Sequence, residues 1–104
     1  MKSKLPQEHI DFIVNTIRKV LKRDQFKIIL FGSFANGNPS RLSDIDIALL
    51  SKKPLDLAKL SMIKEYFEES DFLYSVDVID LARVSKNFGE KVLQAGMVLY
   101  SNLC

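Results

Sequence analysis

Two carboxylates stand two residues apart in the run Asp44-Ile45-Asp46-Ile47-Ala48-Leu49-Leu50. On a strand, residues two apart leave the same face, with Cα atoms roughly 6.5–7 Å apart. Charges so placed repel unless a cation lies between them. A hard divalent ion, Mg²⁺ first among them, takes carboxylate oxygen and keeps positions free for phosphate oxygens. An arbitrary Asp-x-Asp is more often a strand edge with two exposed acids; here Ala48 and Leu50 continue the same face, which marks it as only partly exposed. Asp77 is a third carboxylate, set between Val76 and Val78 in the apolar run FLYSVDVIDL. An unpaired charge in such a place is costly, so it calls for a metal or a proton. If its strand lies beside that of residues 44–50, Asp77 joins Asp44 and Asp46 on one surface. Asp80 points to the opposite face and reads as a strand-end residue.

A second element of chemistry is Gly32-Ser33, which directly follows the apolar run FKIILF. Backbone N–H groups and a hydroxyl at such a turn suit a phosphate, although a Gly-Ser pair alone is usually only a turn. No Gly-Lys-Thr/Ser sequence is present, which excludes a Walker-type loop. His9 is the only histidine and Cys104 the only cysteine, so His-rich or Cys-rich metal sites and intramolecular disulfides are excluded. A histidine-based triad would have to use His9, which lies in a polar helix start.

These residues need elements to position them. Apolar residues at 10, 13, 14, 17, 20 and 21 predict a helix from Pro6 to Arg23. Phe26 to Phe31 reads as a buried strand, Gly32 to Ser43 as a functional loop in which Ser33 to Asn36 can make one turn, and Asp44 to Leu50 as an alternating strand. A helix from about Asp56 to Ser70 carries the stripe Leu57, Leu60, Ile63 and Phe67. Phe72 to Leu81 reads as a third strand, Ser85 caps a helix ending near Gly96, and Met97 to Tyr100 returns extended. The order predicts an α/β (α+β) domain: a small mixed sheet of three to four strands, with helices packed on one side.

The 104 residues suit a single domain, 1–104, with little chain left for a separate substrate domain. Net charge is +2, too small for a protein held to nucleic acid mainly through phosphates. The charge is uneven: residues 1–27 carry seven basic and three acidic groups, residues 28–104 eight and ten. No apolar run is long enough to span a bilayer and the start lacks a signal-peptide pattern, so a cytoplasmic setting is expected.

The combination of a strand-ending Gly32-Ser33, ten intervening residues, Asp44-Ile45-Asp46 and a later strand Asp77 resembles the polymerase β-like nucleotidyltransferase superfamily. Over nearly its whole length the chain resembles the minimal nucleotidyltransferases, which commonly pair as antitoxins with helical HEPN toxins. The resemblance implies a nucleotidyltransferase fold and transfer of AMP from ATP, or of a nucleotide from another NTP, to a hydroxyl of a HEPN-type partner, plausibly a tyrosine. It implies that Asp44, Asp46 and Asp77 hold two Mg²⁺ ions, and that Gly32 and Ser33 grip the β- and γ-phosphates. Asp77 would also face the acceptor.

Many relatives carry an arginine where this chain has Asn36. Arg41, in the same loop, is the candidate replacement, though a surface arginine is the commoner outcome. Two rival readings stay open: an antitoxin that acts by binding alone, and an aminoglycoside-type enzyme that needs a homo-oligomer to complete its pocket. The helix ending at Gly96 and the segment 97–100 offer an apolar surface that serves either the domain's own core or a partner.

Overall fold

The apolar stripe of the first helix forms α1 (Gln7–Val20), with Ile13 and Ile17 fully buried. The helix ends three residues before the expected Arg23, because Leu21 leaves helical geometry and turns its side chain into the core. In this computed structural model, residues 5–35 and 44–103 are described. The expected readings on Asn36, Arg41 and Cys104 lie outside them.

The remaining elements follow in the expected order. They are β1 (Lys27–Phe31), a 3-10 turn (Gly32–Phe34), β2 (Ile45–Leu50), α2 (Leu57–Glu69), β3 (Val76–Asp80), a second 3-10 turn (Leu81–Arg83), α3 (Lys86–Ala95) and β4 (Met97–Ser101). Asp56 and Ser85 cap α2 and α3, accepting from Ala58 N and Phe88 N respectively. The four strands form one mixed sheet in the order β3-β2-β1-β4. β1 is antiparallel to β2 and β4, while β2 runs parallel to β3 through the α2 crossover.

β3 begins at Val76, four residues later than the apolar run suggests. The preceding Phe72 and Tyr74 pack their rings elsewhere: Phe72 stacks on Phe12 at 4.8 Å between centroids, and Tyr74 meets Phe34 edge-on at 5.2 Å. Ser70 Oγ accepts from Phe72 N and shapes that departure.

One sheet face, carrying Ile28, Leu30, Ile45, Ile47, Leu49 and Val78, is covered by Ile13 and Ile17 of α1 and Leu60, Ile63 and Phe67 of α2. The expectation of helices on one side fails for α3. Its Val92 packs against Ile29 and Ala48 on the other face, and its Phe88 meets Phe31 edge-on at 6.0 Å. The physical reason lies in the run FKIILF, which gives β1 two apolar faces, each needing cover. Gly96 permits this approach, since a Cβ there would overlap Ile29 Cγ2 and stand 2.6 Å from Val92 O.

Candidate active site

β2 places Asp46 in register with Phe31 of β1 on one side and with Asp77 of β3 on the other. Adjacent strands lie about 4.8 Å apart and partners in register share a face, so Asp46 and Asp77 are side by side on the α3 face of the sheet. Asp44, two residues before Asp46, is exposed, as is Asp77; Asp46 is half-buried. The start of β2 is tied to β3 by Ile45 N donating to Ser75 O at 2.9 Å.

Burial, and then the negative charges of Asp77 and Asp44, push the Asp46 carboxyl above its ordinary range. Asp46 therefore senses both of its acidic neighbours. Among the described residues, however, no three acidic, histidine or cysteine side chains converge closely enough to hold a cation unaided. A donor set of carboxylate oxygens alone, with uncompensated charge at its centre, fits a hard divalent ion whose other ligands come from a phosphate chain.

Gly32 completes the geometry. Its φ of +77° is the left-handed region that favours glycine, and a Cβ on it would overlap Asp46 Oδ2. The turn therefore crosses directly above the carboxylate, and Ser33 follows within it, half-buried. Ala35 N donates to Gly32 O at 3.1 Å and closes the turn. Phe34 anchors it below through Tyr74, which also meets His9 edge-on at 5.7 Å. His9 thus sits in an aromatic cluster, edge-on to Phe72 at 5.3 Å, and its Nδ1 is buried without a hydrogen-bond partner among the described residues.

Asp80 is separated from this group, as its parity on the strand predicts. It is 4% exposed, accepts from Leu55 N at 2.8 Å and Ala82 N at 3.0 Å, and lies 3.4 Å from Arg83 Nε. Its role is to hold the segment before α2 against the end of β3. Sequence reasoning missed Asn102, whose Oδ1 accepts from Phe26 N at 2.7 Å while its Nδ2 donates to Asp24 O at 3.1 Å. These partners lie 76 and 78 residues away, and a single polar residue after a strand gives no local sign of them.

Among the described residues, no helix is long and apolar enough to cross a membrane. The family model described as "Polymerase beta, Nucleotidyltransferase" matches residues 15–103. The "Probable protein adenylyltransferase MntA" of Haemophilus influenzae is 37% identical over 87 residues, covering 84% of this chain and 75% of that protein. A solved toxin–antitoxin structure with AMP-PNP superposes with a TM-score of 0.66 at 32% identity, covering 85% of this chain and 73% of the other. The structure of the tri-AMPylated HEPN toxin of Shewanella oneidensis in complex with MNT antitoxin gives a TM-score of 0.69 at 27% identity, covering 92% and 72%. With nearly the whole chain matched, and the glycine turn set over paired carboxylates, this protein belongs to the polymerase beta nucleotidyltransferase family.

Proposed function

We propose that the protein transfers AMP from ATP to a hydroxyl group of a partner protein, a HEPN-type toxin, and thereby acts as its antitoxin. The observation that carries this reading is the alignment of the Gly32 turn, which follows β1, with Asp46 and Asp77 in register on the next two strands. The names of the relatives, protein adenylyltransferases and an AMPylated toxin complex, support the choice of nucleotide and acceptor.

Asp44, Asp46 and Asp77 would hold Mg²⁺, two ions by the family's pattern. When bound, the metal neutralises charge on the triphosphate and at the reacting phosphorus. Gly32 and Ser33 hold the β- and γ-phosphates through backbone N–H groups and the Ser33 hydroxyl, with Arg41 as a further cationic contact. Asp77 receives the acceptor side. The acceptor oxygen forms a bond to the α-phosphorus while the bond from that phosphorus to the bridging oxygen of the β-phosphate breaks. Pyrophosphate leaves with that electron pair, and the hydroxyl proton passes toward the Asp77 carboxylate. No covalent intermediate on the protein is needed, because alignment and charge supply the rate.

Co-expression with the neighbouring gene product, followed by intact mass measurement, tests the reading. A partner heavier by one or more AMP units is expected. A tight complex whose partner stays unmodified after ATP and Mg²⁺ are added selects the binding-only antitoxin. Modification of an aminoglycoside without any protein acceptor selects the small-molecule enzyme.

A further inference from the structure

In-line displacement places the attacking and leaving oxygens on opposite sides of the phosphorus. On the reading above the triphosphate lies at the Gly32 turn after β1 and the acceptor beside Asp77 on β3, so that axis runs across the strands. The oxygen that carries the nucleoside lies at neither end of it. It leaves the phosphorus across the axis, and a nucleoside that turns toward the protein therefore runs along the strands, over the face of Asp46 and Asp77. That is the face α3 covers.

Two aromatic rings meet there. β1 pairs Phe31 with Asp46, and partners on adjacent strands share a face, so the Phe31 ring leaves the sheet beside the carboxylate. Phe88 of α3 stands edge-on to it, with centroids 6.0 Å apart and planes at 83°. Ser85 Oγ accepts from Phe88 N at 3.2 Å, which fixes the turn that presents the ring. Of the seven Phe and three Tyr, only these two belong to the carboxylate face; the others pack in the core covered by α1 and α2 or, as Tyr66, lie on α2. Phe88 is nonetheless 42% exposed, although Val92, one turn later, is buried against Ile29 and Ala48. A ring propped by a second ring and still open to solvent is a platform for stacking.

We propose that Phe88, held in place by Phe31, stacks on the base of the donor nucleotide. This rests on the nucleotidyl-transfer reading above and adds to it a subsite for the nucleoside end. A phenyl ring has no hydrogen-bonding group, so it grips a base without reading its edge. The larger purine overlaps it more fully than a pyrimidine does. Phe88 therefore favours purine nucleotides and leaves any choice between adenine and guanine to other groups.

Calorimetric titration of the purified protein tests this, with MgATP and with magnesium tripolyphosphate, which has the phosphates and no base. Phe88→Ala and Phe88→Leu, the latter keeping an apolar contact with Phe31, should each weaken MgATP binding about tenfold or more and leave tripolyphosphate binding unchanged. Phe88→Tyr should keep the affinity for MgATP. The wild type should bind MgATP more tightly than MgCTP, and Phe88→Leu should lose that preference. Tyr66→Ala, which removes a ring of like exposure, 41%, from α2, should change nothing. In turnover, Phe88→Leu should raise the KM for ATP and hold kcat, the mark of a contact made equally in the ground and transition states. Unchanged MgATP affinity in both Phe88→Ala and Phe88→Leu overturns the proposal and leaves nucleotidyl transfer standing. Equal loss of tripolyphosphate and MgATP binding also overturns it, since the effect is then structural. Nucleotide binding that depends on Phe88, without any AMP transfer, removes the enzymatic reading and leaves the base subsite.

Discussion

Gly32 and Asp46 stand so close that only glycine fits at position 32, since a Cβ there would overlap Asp46 Oδ2. The positive φ of Gly32 compounds the restriction. Gly32→Ala should therefore cost about 1–2 kcal/mol in left-handed backbone strain alone, before the displacement of Asp46 is counted. Urea unfolding reads the first effect, and loss of AMP transfer the second.

Asp46→Asn should abolish transfer and stabilise the fold. The drop in turnover should be on the order of 10²–10³-fold or more, the scale set by removing one electrostatic stabiliser of a transition state. The stability change has a definite pH dependence. The Asp46 carboxyl titrates above its ordinary 3.8, so between that value and its folded one the folded chain binds more protons than the unfolded chain. Stability of the wild type therefore falls as pH rises through this window, and the full penalty persists above it. The gain from Asp46→Asn should be largest at neutral pH and vanish below 3.8, as unfolding midpoints across pH will show.

Asp77→Asn and Ser33→Ala should separate catalysis from grip. On the proposed division of roles Asp77 serves the acceptor, so its variant should bind MgATP nearly as tightly as the wild type and turn over far more slowly. Ser33→Ala should weaken triphosphate binding by about 1–2 kcal/mol through a lost hydrogen bond to a charged group. Calorimetric titration beside turnover checks both. Equal loss of nucleotide affinity in Asp77→Asn and Asp44→Asn would contradict this division.

Asp80 provides the contrast to Asp77. Asp80→Ala leaves Leu55 N buried without its acceptor and deprives Arg83 of its carboxylate. A loss of about 1–3 kcal/mol is expected, the cost of the unsatisfied Leu55 N, because the Arg83 side chain is 41% exposed and stays solvated. MgATP affinity per folded molecule should be unchanged, which thermal unfolding with and without nucleotide will reveal.

Most elements were legible because the apolar spacing is strict: the order of helices and strands and the opposite parity of Asp80 both follow from side-chain periodicity. The start of β3 was not. Phe72 and Tyr74 fit a strand by type, and only the rings of His9, Phe12 and Phe34, distant in sequence, draw them away. The side chosen by α3 was likewise hidden, since Val92 gives no sign of which apolar face of β1 it will cover. The pairing of Asp46 with Asp77 was legible only as a condition, that their strands be neighbours, which the parallel β2–β3 register satisfies.

Asn102 gives the molecule an order of assembly. β1 is a central strand, held on one side by β4, and the turn before it is fastened by the Asn102 side chain to Asp24 and Phe26. On the ribosome, the strand that ends in the Gly32 turn is made early but gains its second neighbour only when residues 97–102 emerge. Until then the β1 backbone offers an open ladder to any extended peptide nearby. Nascent chains stopped before Met97 should consequently aggregate or recruit chaperones, whereas chains extended past Asn102 should acquire protease resistance in a single step.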